Sequence, residues 1–77
     1  MERAESYFKK SLGINPDGID PNYFYGEFLV DNNRVAEARP FLEKALKAAP
    51  RPGRELADRV RRQEVQALLN KLNQEAR

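Results

Sequence analysis

A chain of 77 residues, with 34% charged and 40% hydrophobic side chains and a net charge of +2, has room for one small domain and little electrostatic pull toward nucleic acid. It holds neither cysteine nor histidine, which excludes disulfide staples, the usual structural zinc ligands and the commonest general base. No apolar run approaches the roughly 20 residues that span a bilayer, and the polar start Met1-Glu2-Arg3-Ala4-Glu5 is no secretory signal, so a cytoplasmic location is the expectation.

The first predicted helix covers about residues 2–13, where Ala4, Tyr7, Phe8, Ser11 and Leu12 fall at spacings of three and four. The turn cluster Asn15-Pro16-Asp17-Gly18 ends it. A second helix is expected over about 21–32, with Asp20 as its N-cap and Pro21 at the first helical position. Asp31-Asn32-Asn33 closes that helix, because asparagine tolerates the left-handed conformation that ends helices. The third runs over about 34–48 on Ala38, Phe41, Leu42, Ala45 and Leu46. Pro40 lies inside it and must remove the bond to the Ala36 carbonyl, which a slight bend in the second turn can absorb. Pro50-Arg51-Pro52-Gly53 is the last break. The fourth helix is expected over about 54–75, with a stripe of Leu56, Val60, Ala67, Leu68 and Leu72 broadened by Val65 and Leu69. Nothing alternates with period two, so the fold class is all-α, and the short connections favour antiparallel neighbours.

The first and third segments repeat each other. Ala4 pairs with Ala38, Tyr7 with Phe41, Phe8 with Leu42, Lys10 with Lys44, Ser11 with Ala45, Leu12 with Leu46 and Pro16 with Pro50, each at an offset of 34 residues. A fixed period of this size signals a helix-pair repeat. Small residues let the helices approach, large ones fill the space between them, and the prolines stop each unit. The pattern Tyr25-Gly26-x2-Leu29, then Ala38-x3-Leu42-x2-Ala45 and Pro50, resembles the tetratricopeptide repeat family over roughly residues 1–50. The resemblance implies a right-handed solenoid of antiparallel helix pairs. Residues 1–16 match the second helix of a partial repeat, 19–50 a near-complete repeat, and 53–76 a C-terminal capping helix, all in a single domain over 1–77. Asn22 departs from the family's large aromatic, leaving Tyr23 or Phe24 to compensate, and Val60 departs from its close-packing glycine. The first unit has no first helix to cover Tyr7, Phe8 and Leu12. Either the chain is the C-terminal piece of a longer array or it self-associates through that face.

Chemistry-bearing patterns are scarce. Glu27 and Asp31, four apart, read as a solvated acidic face, since a hard-cation site needs about six oxygen ligands. No glycine-rich phosphate loop and no Ser–His arrangement occurs. No catalytic residue, cofactor or metal is expected, and the chain is not expected to be an enzyme. Arg51, Arg54, Arg59, Arg61 and Arg62 could contact phosphates weakly, but Glu55, Asp58 and Glu64 dilute them. No aromatic lies beyond Phe41, so no stacking platform is expected beside them. Helical spacing places Tyr25, Gly26 and Leu29 inward and assigns Phe24 and Phe28 to the space between helices. The remaining face groups Asp20, Tyr23, Glu27, Val30 and Asp31. The resemblance implies that this face lines a concave groove where peptide partners lie, with Tyr23 either as apolar anchor or simply covering a neighbouring helix. Tyr23 and Glu27 stand where carboxylate-clamp members carry lysine and asparagine, so a basic or aromatic peptide is the expected ligand. The alternative is a structural role, as terminal cap or oligomerisation element.

Overall fold

Turn chemistry sets where each helix stops. The computed structural model describes residues 2–49 and 51–75, with Glu2 described by its backbone only; the proposed unit-stopping Pro50 and the end of the expected cap at residue 76 lie outside the described residues. Four helices follow in chain order: α1 (Glu2–Ile14), α2 (Ile19–Asp31), α3 (Val35–Leu46) and α4 (Glu55–Glu75). No strand occurs among the described residues.

The turn after α2 is as the asparagines require. Asn33 has φ of 62°, and the amides of Arg34 and Asn33 donate to the carbonyls of Leu29 and Val30 at 2.8 and 3.0 Å. These two bonds form a Schellman motif that satisfies the last carbonyls of α2. Ahead of α4, Arg54 N–H donates to the Arg51 carbonyl at 3.0 Å and Gly53 has φ of 76°, the signature of a type II turn with Pro52 in its second position.

The start of α2 differs from expectation. The helix begins at Ile19 with Gly18 as its N-cap, so Asp20 caps nothing and Pro21 is the third helical residue. Proline is accommodated there because the first four helical N–H groups lack an intrahelical acceptor anyway. No side chain caps the helix start, and the turn before it is held instead by Asn22. It is fully buried, and its Nδ2 donates to the Gly18 and Pro16 carbonyls at 2.8 and 3.0 Å, tying the turn onto the helix. The position expected to need an aromatic substitute is thus filled by a polar clamp. In α3, Pro40 and Ala36 are both on the exposed side, and the helix continues through the proline.

The core joins α2, α3 and α4. Ile19, Tyr25 and Leu29 meet Ala38, Leu42 and Ala45, with Val65, Leu69 and Leu72 closing from α4. Gly26 explains the close approach of α2 and α3: a Cβ there would lie 2.6 Å from Leu42 Cδ2. Among the described helices α1 packs on α2 alone. Phe8 holds it, with ring centroids 6.4 Å from Tyr25 and 5.4 Å from Phe28.

Helix α4 is rotated from the expected stripe. Val65, Leu69 and Leu72 are buried and Leu68 packs against them, but Leu56 is 71% exposed, Val60 48%, and Ala67 is also exposed. The first half of α4 turns Asp58, not Leu56, inward. Asp58 is fully buried and accepts from the Arg51 backbone N–H at 2.9 Å and from the Arg51 guanidinium. A buried carboxylate held by a guanidinium and an amide is satisfied, and it decides the rotation of the helix.

Candidate functional site

The residues expected to face a partner lie along α2, and α4 sets Arg61 and Glu64 beside them. Helical spacing sets Asp20, Phe24, Glu27 and Asp31 in one row, at intervals of four, three and four, with Tyr23 and Val30 flanking it. Asp20 and Asp31 are separated by roughly 16 Å along the helix axis, so the row is a surface rather than a point.

Around Asp20 the side chains converge tightly. Arg61 of α4 donates from Nε to Asp20 Oδ1 at 3.0 Å and from a terminal nitrogen to Glu64 Oε1 at 3.2 Å. Its guanidinium carbon stands 5.2 Å from the Tyr23 ring centroid and 4.8 Å from that of Phe24. The planar cation is therefore bonded at its edge and covered by aromatic rings on its face. Arg51 reaches Asp20 Oδ2 from the other side at 3.7 Å.

Tyr23 differs from an exposed anchor. It is only 7% exposed, and its hydroxyl donates to Glu27 Oε2 at 3.2 Å. Burial, reinforced by the nearby Glu27 carboxylate, pushes its hydroxyl above the usual tyrosine range, and Glu64 acts in the same direction. Glu27 and Glu64, from two helices, thus both bear on one phenol. Glu27 and Asp31 are exposed, Asp20 and Val30 are half-buried. Arg61 joins Asp20 to Tyr23, and the Tyr23 hydroxyl joins Glu27 to them; Val30 packs toward the core, and Asp31 stands apart at the end of α2.

Three residues of this face were not among the expected ones. Phe24, 38% exposed, is the accessible aromatic. It was expected to fill the space between helices, although the spacing that sets it in a row with Asp20, Glu27 and Asp31 is present in the sequence. Arg61 and Glu64 carried no such signal, because their partners lie on another helix; the Arg61–Asp20 pair spans 41 residues of sequence. The absence of aromatics beyond Phe41 also misled: α2 supplies the rings that α4 lacks.

The arginines of 51–62 are largely engaged. Arg51 holds Asp58 and Arg61 holds Asp20, while Arg62 donates to the Ala48 carbonyl at 2.6 Å. Among the described residues no group of three potential ligands could hold a metal ion, and no helix is long and apolar enough to cross a membrane.

The family model for the tetratricopeptide repeat matches residues 1–72. Among curated proteins and solved structures nothing matches the chain. Tetratricopeptide repeats generally mediate protein–protein interaction and are typically not enzymes. The match reaches from α1 into α4 and takes in the Gly26 contact with Leu42 and the 34-residue recurrence, and the chain belongs to the tetratricopeptide repeat family.

Proposed function

We propose that the face shared by α2 and α4 docks a segment of a partner protein that carries basic and aromatic side chains, and that the chain acts by this binding alone. The observation that supports the reading most is the charge around the exposed Phe24. Glu27 and Glu64 present carboxylates on the same face, with Asp31 further along α2, while the cations that reach it, Arg61 and Arg51, are bonded to Asp20, Glu64 and Asp58. Such a face attracts a cation-bearing segment and offers an apolar contact next to it. Within this reading Asp20 and Tyr23 position Arg61 and Glu27, Phe24 provides the apolar contact, and Val30 and Asp31 extend the surface.

The test is fluorescence anisotropy with a panel of labelled peptides: lysine- and arginine-bearing sequences with interspersed aromatics, and acidic counterparts. The basic set is expected to bind and the acidic set not. Glu27→Lys and Phe24→Ala are each expected to weaken binding about tenfold, the order of a single interface anchor. Equal affinity for both sets, or no effect of either substitution, would remove the groove from consideration and favour the structural-cap reading. Tyr23→Phe, which keeps the buried ring, separates the hydroxyl's contribution from that of the fold.

A further inference from the structure

Inside this chain α2 and α3 pack face to face. Leu29, Ala38, Leu42 and Ala45 are fully buried between them, and Tyr25 meets Phe41 at 4.7 Å. Counting back and forward 34 residues, α1 is the equivalent of α3, and the first half of α4 is the equivalent of α2. The positions that α2 turns toward α3, Asn22, Gly26 and Leu29, correspond to Leu56, Val60 and Gln63. Those that α3 turns toward α2 include Phe41 and Ala45, and they correspond to Tyr7 and Ser11, with Ile14 one turn beyond Ser11 at the end of α1. Yet α1 and α4 do not touch each other. Both equivalent faces stand in solvent: Tyr7 is 67% exposed, Ile14 79%, Leu56 71% and Val60 48%. Three of the five large exposed hydrophobic side chains among the described residues, Tyr7, Leu56 and Val60, thus lie at the equivalents of buried or half-buried positions of the interior pair, and Ile14 extends the α1 face by one turn.

We propose that α4 of one molecule pairs with α1 of a second copy, head to tail, in the antiparallel register that α2 and α3 adopt. The charges agree with that register. Arg59, equivalent to Tyr25, comes against Tyr7, equivalent to Phe41, so a guanidinium meets a ring where the interior has two rings. The interior pair is closed at one end by Lys44 and Asp17, 3.2 Å apart. At the same end of the intermolecular pair the equivalent of Asp17 is Arg51, which is held by Asp58 of its own molecule, so Lys10, the equivalent of Lys44, is left to meet Glu55 in the first turn of α4. At the other end the neutral Gln63 and Gln66 come beside Arg3. Val60 in place of glycine holds this pair wider apart than α2 and α3. Phe8, the equivalent of Leu42, is turned onto Tyr25 and Phe28, so the small Ala4 and Ser11 are left to face Val60. The contact uses different surfaces on the two copies, so it does not close on itself, and each added copy again presents both faces.

Sedimentation equilibrium of the full chain tests this. The weight-average mass is expected to rise steadily from micromolar to millimolar concentration without a plateau at the dimer. Tyr7→Glu or Ile14→Glu on α1, and Leu56→Glu or Val60→Glu on α4, alter exposed side chains; each is expected to keep the helical circular dichroism and hold the chain monomeric. Mixing Tyr7→Glu with Leu56→Glu is expected to restore a one-to-one dimer and nothing larger, because each copy retains the face the other has lost. Three outcomes would overturn the proposal: a strict monomer at millimolar concentration, association lost with Tyr7→Glu but untouched by Leu56→Glu, or a mixture that stays monomeric. Phe24→Ala and Glu27→Lys, which probe the groove, are expected to leave the association unchanged, so the two readings fail separately.

Discussion

Glu5 shows how one side chain ties α1 to two parts of the fold. Its carboxylate accepts from the Tyr25 hydroxyl at 2.7 Å and pairs with Arg34 at 2.9 Å. The Arg34 hydrogen bond, then that of Tyr25, lowers its pKa from the ordinary 4.5 to about 2. A carboxyl lowered in the folded state stabilises it fully above 4.5 and loses that contribution as pH falls toward 2. Tyr25 moves the other way: burial, then its bond to Glu5, raise it above the ordinary 10, so its contribution is present below pH 10 and is lost as pH rises beyond. Urea midpoints measured against pH are expected to fall at both limits, and Glu5→Gln is expected to flatten the acid limb. Two glycines offer a second contrast. Gly13 has open space around its Cβ position, while Gly26 has Leu42 there. Gly13→Ala is expected to raise stability by about 0.5 kcal/mol through helix propensity. Gly26→Ala is expected to lower it by about 1 kcal/mol, overpacking outweighing the same propensity gain. Urea denaturation of the two variants reads both signs.

At the scale of elements, α4 depends on a polar contact at its start and an apolar one further along. Arg51 and Asp58 fasten its first turns, and Val65, Leu69 and Leu72 fasten the rest. Asp58→Ala is expected to loosen the first half while leaving the second, seen as faster amide exchange over residues 55–62 than over 65–72. Asp58→Leu would not restore the native arrangement, since Arg51 would lose its charged partner beside a new apolar surface. This contact also marks how far the helices were legible in the sequence. Periodicity located all four, and the asparagine and Pro-Gly breaks fell where the turns form, because those signals are local. The rotation of α4 was not legible. An apolar count favours Leu56 inward over Asp58, and only the position of Arg51, seven residues earlier, reverses that preference. The start of α2 failed for a related reason: Asp20 has the composition of a cap, but Arg61 and Arg51 claim its carboxylate.

The whole molecule spans 36 × 30 × 14 Å, a slab too thin for much interior. A chain of this size buries only about 60% of its unfolded surface, so any further burial matters to its stability. Head-to-tail pairing makes apparent stability concentration-dependent, because a partner that binds only the folded state shifts unfolding by mass action. The melting temperature of the unmodified chain is expected to climb with protein concentration, and that of Tyr7→Glu to stay constant. Calorimetry over a wide dilution series distinguishes the two. At this scale the sequence reading was strongest for the fold, because the 34-residue recurrence constrains every helix at once. It was weakest for the candidate face, which only exists once Arg61 crosses from α4 to the rings of α2.

The attachment of α1 to α2 alone has a mechanical consequence. A pull on the two ends of the chain does not load the helices equally. Helix α4 packs on both α2 and α3, whereas α1 packs on α2 alone through Phe8 and Leu12, with Glu5 adding polar contacts to Tyr25 and to Arg34 in the next turn. Force would peel α1 away first and leave the other three helices standing. In a force-extension trace the chain should therefore lengthen in two steps, a small early one of thirteen residues and a larger one after it.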